Sequence, residues 1–171
     1  EVVLSIVDIA KDKNIEIIFN TEEEEIITAI DEEKIVRVIL ILLSNSIKFS
    51  KEKGDICVEM RREDEEVVIK VTDNGIGINE DMKEKIFDKF KRVQSVSNLN
   101  VDHEGSGLGL YIAKGFIELH NGSISVVSEV EKGSTFIITI PIVIIKNDLH
   151  NINHMDEDEL NRIIKIELSD L

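Results

Sequence analysis

Cysteine, proline and aromatic side chains are scarce in this sequence, and each scarcity narrows what the protein can be. Cys57 is the single cysteine, so no internal disulfide can form, which fits a reducing compartment. Aromatic residues make up 4% of the chain and tryptophan is absent, so the core must be aliphatic. Hydrophobic residues make up 42% of the 171 positions, enough for such a core in one domain, or in one domain with a tail.

Positive charge is scarce as well, because 20 Lys and Arg stand against 35 Asp and Glu, for a net charge of −15. This balance argues against nucleic acid or an anionic membrane surface as the main partner. The longest apolar run, 136–145, contains Pro141 and is shorter than the roughly 20 residues that span a bilayer. The chain has no basic leader at its start and does not begin with Met. We expect a cytoplasmic part of a longer protein, with no direct membrane contact in this part.

Hydrophobic periodicity predicts an α+β fold. Helical spacing predicts helices over 1–12, 32–49 and 108–120, with a short helix ending near 86–87. Alternating apolar runs predict strands over 15–19, 26–30, 55–62, 65–72, 123–128 and 135–144. This order predicts a two-layer sandwich, in which helices cover one face of a single mixed, mostly antiparallel sheet. The domain should span 1–145, and the polar tail over 146–171 should contain a helix capped by Asp156.

A strand-end turn at residues 73–78, Asp-Asn-Gly-Ile-Gly-Ile, is the most informative stretch. Its two glycines, Gly75 and Gly77, permit a positive φ or a close approach of backbone to another group. An ionised carboxylate only accepts hydrogen bonds, so Asp73 could take the amino group of adenine and would repel the carbonyl oxygen of guanine. A turn aspartate that caps its own backbone is the alternative.

Two polar residues, Asn45 and Lys48, stand on one face of the predicted helix 32–49. Asn45 has Leu42, Leu43 and Ile47 around it, and an amide in such surroundings needs partners. An amide oxygen is a hard ligand that suits Mg²⁺. For Lys48 taken alone, a helix end that simply reaches water is the better interpretation.

A glycine-rich turn, 105–110, opens the predicted helix 108–120 with the residues Gly-Ser-Gly-Leu-Gly-Leu. Glycines at a helix N-terminus let backbone N–H groups approach phosphate. Leu110 stands where a dinucleotide-binding or protein-kinase loop has its third glycine, and no Gly-Lys-Ser/Thr follows, so those loops are excluded. The preceding polar segment, 91–106, is long and without periodicity, which is typical of a lid, and the turn could serve as its hinge.

The order of these motifs is more specific than any one of them. Read with residues 86–90, Ile-Phe-Asp-Lys-Phe, and with 132–136, Lys-Gly-Ser-Thr-Phe, the chain from about 1 to 145 resembles the ATP-binding catalytic domain of sensor histidine kinases. The resemblance implies the Bergerat fold of the GHKL superfamily, with ATP and Mg²⁺ as cofactors. It also implies two partners, a histidine-bearing dimerisation domain of the same protein and the receiver domain of a response regulator.

The resemblance assigns roles to individual positions. Asn45 would coordinate Mg²⁺, and Asp73 would hold the adenine amino group. The remaining residues implied near the base are Gly75, Gly77 and Thr135. Those implied near the phosphates are Lys48, Lys91, Arg92, Gly105, Gly107, Leu108 and Gly109.

One position departs from the family. Histidine kinases usually carry a second Asn one helical turn before the Mg²⁺ ligand, and the related ATPases, such as gyrase and the heat-shock chaperones, carry a Glu there; this chain has Ile41. An isoleucine cannot accept a proton, which counts against a hydrolase. It also leaves open a second interpretation, a nucleotide-binding module that is catalytically inactive and acts as an ATP-dependent scaffold.

No phosphoacceptor histidine is recognisable in this sequence. His103 lies in the predicted lid, His120 ends a predicted helix before Asn121-Gly122, and His150 and His154 lie in the polar tail. We therefore predict that this chain transfers the γ-phosphoryl group of ATP to a histidine supplied by another segment.

Overall fold

The computed structural model describes residues 2–22, 25–51, 53–91, 106–144 and 155–169. Its helices are α1 (Val2–Asp12), α2 (Glu32–Phe49), α3 (Gly109–Leu119) and α4 (Glu157–Glu167). Its strands are β1 (Glu16–Thr21), β2 (Asp55–Glu63), β3 (Glu66–Asp73), β4 (Ser123–Glu129) and β5 (Gly133–Pro141). None of the helices in these ranges is both long and apolar enough to cross a membrane.

The five strands form one sheet in the order β1-β2-β3-β5-β4. Only β1 and β2 pair in parallel, and every other neighbouring pair is antiparallel. Along β5, alternate side chains from Ser134 to Ile140 are buried, because they face the helices. The predicted mixed, mostly antiparallel two-layer α+β fold is confirmed. The register sets Asp73, at the end of β3, opposite Ser134, at the start of β5.

Helix α2 lies at the centre of the helical layer. Asp31 caps it by accepting a hydrogen bond from the Lys34 N–H at 3.1 Å, and Glu32 and Glu33 place negative charge in its first turn. Its apolar residues are so numerous that it packs as a core helix, with Leu40, Leu42 and Leu43 fully buried. At its C-terminal end, the Phe49 carbonyl accepts a hydrogen bond from Ile76 N–H. The end of α2 is therefore fastened to the turn that follows β3.

His120, which ends α3, connects that helix to the start of α2. Its Nε2 accepts a hydrogen bond from the Asp31 N–H at 2.9 Å, and its Nδ1 lies 2.7 Å from the carbonyl oxygen of Phe116. A carbonyl oxygen can only accept, so the ring proton lies on Nδ1. Both ring nitrogens are thus occupied by backbone groups, as expected for a capping residue.

Helix α4 packs on the outside of α1 and α2. Asp156 caps it as predicted, by accepting a hydrogen bond from the Glu159 N–H at 2.8 Å. Ile163 is completely buried and Leu168 nearly so, and both belong to the same hydrophobic core as α2. The helix in the tail is therefore a layer on the core.

Three sequence predictions about elements need correction. Residues 26–30 form no strand, because the neighbouring β5 ends at Pro141 and the segment makes one backbone–backbone hydrogen bond to the chain beyond it, from the Ala29 N–H to the Val143 carbonyl, while the Val143 N–H bonds to the Thr28 side chain. Because β5 ends at Pro141, it is shorter at its C-terminal end than the strand predicted over 135–144. The predicted short helix is two 3₁₀ turns, Glu80–Met82 and Lys85–Phe87, without a side-chain cap on either.

Candidate functional site

A cleft opens where the end of β3, the start of β5, the C-terminal half of α2 and the first turn of α3 meet. It holds about 460 Å³ of space, its open mouth included. Its walls are formed by Asn45, Phe49, Asp73, Ile76, Gly77, Ile78, Ile86, Leu110, Ser134 and Phe136. Most of these side chains are apolar, and the three polar ones are Asn45, Asp73 and Ser134. Apolar walls with a few convergent polar groups are typical of a small-molecule site.

Asp73 is the buried carboxylate of the cleft, with 7% of its surface exposed. Its Oδ1 accepts hydrogen bonds from the Gly75 N–H at 2.9 Å and from the Ser134 N–H at 3.3 Å. Its Oδ2 lies 3.4 Å from the Ser46 hydroxyl, a long contact that leaves acceptor capacity unused. Burial raises the pKa of Asp73, and the hydrogen bonds from Gly75, Ser134 and Ser46 oppose that rise. Within the described part of the chain no cation pairs with Asp73.

The glycines after Asp73 are required by the packing of the turn itself. A Cβ at Gly75 would collide with the Phe49 carbonyl oxygen, and a Cβ at Gly77 would collide with the Glu129 carbonyl oxygen. Gly77 also has a φ of 69°, which disfavours any residue with a side chain. Gly77 lines the cleft, whereas Gly75 supports it from behind through its N–H bond to Asp73.

Asn45 reaches the cleft from α2, as the sequence predicts, and Lys48 does not line it. The Asn45 amide has no hydrogen-bond partner within the described ranges, so its oxygen is available to a ligand. Lys48 is half-buried on the last turn of the same helix. The groups of the described residues include no cluster of three or more His, Cys, Asp or Glu that could hold a metal by themselves.

The glycine-rich turn reaches the cleft through the first residues of α3. Gly107 has a φ of 68°, and its carbonyl accepts a hydrogen bond from the Phe90 N–H at 3.0 Å. A Cβ at Gly107 would lie 3.1 Å from the Lys91 carbonyl oxygen, so the backbone of Lys91 adjoins the turn. The Leu108 side chain makes no capping hydrogen bond at the start of α3, the Leu108 N–H donates to Ser106 Oγ at 3.3 Å, and Leu110 lines the cleft.

The Ile41 side chain does not reach the cleft lining. It is 5% exposed, and its Cγ2 would lie 3.2 Å from a Cβ added at Gly109. Ile41 is therefore a core residue on which the first turn of α3 rests. Arg92 and Gly105, together with nearly all of the predicted lid over 91–106, lie outside the described residues, as do His103, His150 and His154.

The structure does not bring Thr135 into the cleft, and this corrects its expected position near the base. Successive residues of a strand face opposite sides of the sheet, so Thr135 points away from the helices, where its Oγ1 lies 3.1 Å from the Oγ1 of Thr72. Its neighbour Ser134 lines the cleft instead. The pairing of Ser134 with Asp73 between β5 and β3 indicates that Ser134 lines the cleft, but the motif alone does not reveal this pairing.

Sequence reasoning also missed Ser46, which is 1% exposed and contacts the carboxylate of Asp73. The only signal for it is a serine within a helix that is otherwise apolar on its buried side.

Comparison with protein families matches residues 30–144 to the family described as histidine kinase-, DNA gyrase B- and HSP90-like ATPase. The chain is 35% identical over 136 residues to the sensor histidine kinase WalK of Bacillus subtilis. That alignment covers 78% of this chain and 22% of WalK, so the chain spans less than a quarter of the length of this relative.

Solved structures of the same kind share the fold. The catalytic domain of the histidine kinase ThkA, in a nucleotide-free form, superposes with a TM-score of 0.72 at 28% identity, covering 84% of this chain and 90% of that one. ThkA in complex with the response regulator protein TrrA gives a TM-score of 0.67 at 27% identity over 83% of this chain and 38% of that one. Full-length ShkA in complex with AMPPNP gives a TM-score of 0.72 at 26% identity over 84% of this chain and 29% of that one.

The family match over residues 30–144 spans well over half of the chain, and the fold of the ThkA catalytic domain is shared over 84% of it. The chain therefore belongs to the family of histidine kinase-, DNA gyrase B- and HSP90-like ATPases, as a catalytic domain of the sensor histidine kinase type.

Proposed function

We propose that this domain binds MgATP and transfers its γ-phosphoryl group to a histidine on a separate dimerisation domain of the same protein. The phosphoryl group then passes to the receiver domain of a response regulator, and both steps take place in the cytoplasm. The observation that carries the proposal is the convergence of Asn45, Asp73 and the first turn of α3 on one cleft.

Adenine fits the buried end of the cleft. The unused acceptor capacity at Asp73 Oδ2 suits an exocyclic amino group, and a carbonyl oxygen in its place would face a carboxylate. Ile78 and Phe136 line the cleft and offer apolar surface to a flat ring. Burying the ring against these walls removes apolar surface from water, which favours binding.

Asn45 supplies one oxygen to Mg²⁺. Magnesium keeps several waters and takes much of its coordination from phosphate oxygens, so a single amide fits a metal that arrives with the nucleotide. Because the described residues include no group of three or more His, Cys, Asp or Glu that could hold a metal, Mg²⁺ alone should bind weakly. When bound, the ion would neutralise charge on the phosphates during transfer.

The phosphates lie towards the start of α3. The N–H groups of Gly107 and Gly109 and the positive end of the helix dipole favour anionic oxygens, and the Leu108 N–H, which donates to Ser106 Oγ at 3.3 Å, adjoins them. Lys48 and Lys91 are the cations that the sequence motifs assign to the phosphates. The motifs imply the same role for Arg92 and Gly105, which lie outside the described residues.

The acceptor histidine comes from outside this chain. His120 is the one histidine among the described residues, and both of its ring nitrogens are held by backbone groups. The role that we propose for this domain is therefore to position ATP and stabilise charge, with no acceptor histidine among its described residues. The solved complex of ThkA with a response regulator supports the proposal of a receiver-domain partner.

An inactive ATP-dependent scaffold is the second candidate, and Ile41 is the observation that favours it. Its buried side chain cannot polarise a nucleophile or accept a proton, so this chain lacks a polar contact at that position. The same residue disfavours an independent ATP hydrolase.

The test is a transfer assay with labelled ATP, Mg²⁺, this chain and the dimerisation domain of its own full-length protein. We expect acid-labile, base-stable label on the dimerisation domain, and loss of that label with Asp73→Asn. Asp64→Asn, a matched change at an exposed turn, should transfer normally. Tight ATP binding without transfer would instead identify the scaffold, and phosphate release by this chain alone would identify a hydrolase.

A further inference from the structure

Ser128, on β4, holds three groups behind the cleft with one hydroxyl. Its Oγ lies 2.8 Å from the Ile78 nitrogen, 2.8 Å from the Gly133 carbonyl oxygen and 3.0 Å from the Ser134 Oγ. Ser128 does not line the cleft, whereas Ile78 and Ser134 do. We propose that Ser128 is a positioning residue that sets base selectivity by fixing the direction of the Ser134 hydroxyl. The inference rests on the proposed function, since it concerns the base that this cleft accepts.

The available protons determine the direction of each hydrogen bond. The Gly133 carbonyl can only accept, so the single proton of Ser128 points to it. The Ile78 N–H can only donate, so it takes one lone pair of Ser128 Oγ. The remaining lone pair of Ser128 must therefore accept the proton of Ser134.

Ser134 is left with lone pairs and no free proton. Its hydroxyl consequently acts towards the cleft as an acceptor only. It stands beside Asp73, whose carboxylate is also acceptor-only and bonds the Ser134 N–H at 3.3 Å. Both residues are 7% exposed, so water competes little for their oxygens.

Two adjacent acceptors match an exocyclic amino group, which carries two hydrogens to donate. A purine with an oxo group at the same position offers only lone pairs and meets two acceptors. Leaving buried polar groups unpaired is what makes a site of this kind selective. Selectivity for an amino purine thus rests on Ser134 as well as on Asp73, and on Ser128 because it orients Ser134.

Removing the Ser128 hydroxyl should release the Ser134 proton. In Ser128→Ala, Ser134 loses its acceptor and can turn its hydroxyl into the cleft, where it would donate to an oxo group. We expect the ratio of inosine triphosphate Kd to ATP Kd, measured by calorimetry with Mg²⁺, to narrow by about 10-fold, the scale of one hydrogen bond gained and one lost. Ser134→Ala should narrow the ratio too, because it removes the second acceptor.

Matched variants distinguish a role of Ser128 in orienting the Ser134 hydroxyl from a role in supporting the cleft structurally. Ser128→Thr keeps the hydroxyl and should keep the selectivity, and Ser125→Ala, on the same strand but on its exposed side, should change neither affinity. In a Ser134→Ala background, adding Ser128→Ala should leave the ratio unchanged, because the group that Ser128 orients is gone. Thermal unfolding establishes whether each variant is folded. If Ser128→Ala is not folded, the ratio of the inosine triphosphate Kd to the ATP Kd measured for Ser134→Ala tests the inference.

Equal weakening of both nucleotides by Ser128→Ala would overturn the inference and leave the proposed function standing. An unchanged ratio for Ser134→Ala would overturn it as well. Failure of the unaltered chain to bind either nucleotide would overturn both this inference and the proposed function.

Discussion

At the scale of single residues, the buried carboxylate of Asp73 is available to a ligand but lowers the stability of the folded protein when it is charged. It is buried without a cationic partner among the described residues, and burial raises its pKa above the ordinary value of 3.8. The folded protein thus keeps a proton on Asp73 at pH values where the unfolded chain has already lost it. It follows that the contribution of this group to stability falls as the pH rises from the ordinary value through the raised one.

This sign gives a prediction for Asp73→Asn. The amide can keep its oxygen on the Gly75 and Ser134 N–H groups and cannot ionise, so the variant avoids the buried charge. Relative to the unaltered chain, its free energy of unfolding should rise as the pH increases from the ordinary pKa of an Asp carboxyl through the raised pKa of Asp73, and then level off. Urea unfolding without ATP measures the difference, and a gap that stays constant across this range would contradict the account.

The sequence motifs correctly predicted some of the residues that line the cleft. They failed where the answer depends on which side of a strand a residue faces. Asn45 and Asp73 line the cleft as the motifs indicate, although their ligands stay predictions. Ser134 and Thr135 are adjacent, and a shift of one residue along a strand exchanges the two sides of the sheet. Only the pairing of β3 with β5 shows that Ser134 faces the cleft.

At the scale of elements, α2 and α3 are predictable because their apolar residues follow a helical period over many turns. The strand predicted over 26–30 was wrong because an apolar run needs a neighbouring strand to pair with, and the chain beyond β5 offers one backbone–backbone hydrogen bond there. The 3₁₀ turns before the cleft were misread as a helix because each has only three residues, too few for periodicity to distinguish.

Helix α4 provides the prediction at this scale. Ile163 is completely buried against α1 and α2, whereas Ile166 on the same helix is 53% exposed. Ile163→Ala should lower the free energy of unfolding by about 2–4 kcal/mol, through lost burial and the cavity left behind. Ile166→Ala, the same chemical change on the open side, should cost less than about 1 kcal/mol.

Thermal or urea unfolding of the two variants gives the comparison. Equal losses for Ile163→Ala and Ile166→Ala would show that α4 does not pack on the core as described. Both variants should retain ATP affinity, because neither position lines the cleft.

At the scale of the whole molecule, the fold was predictable from periodicity, and the order of the motifs indicated that Asn45 and Asp73 would meet in one cleft. The distances were not, because Asn45, Asp73 and Ser134 lie on three separate elements and meet only when β3 pairs with β5 beneath α2. The net charge of −15 follows directly from composition. Since no broad basic patch is expected, anion binding relies on the backbone of the glycine-rich turn and on the N-terminal end of α3. The cleft is thus a property of the assembled sheet and helices.

The most direct test of that convergence is amide chemical-shift mapping of this chain by nuclear magnetic resonance during titration with MgATP. The account predicts coincident saturable shifts at Gly77, Leu110 and Ser134 and at the side-chain amide of Asn45, with little change at Ile166 on α4 or Asn20 on β1. Absence of saturable shifts at the first four positions, or shifts confined to the last two, would contradict it.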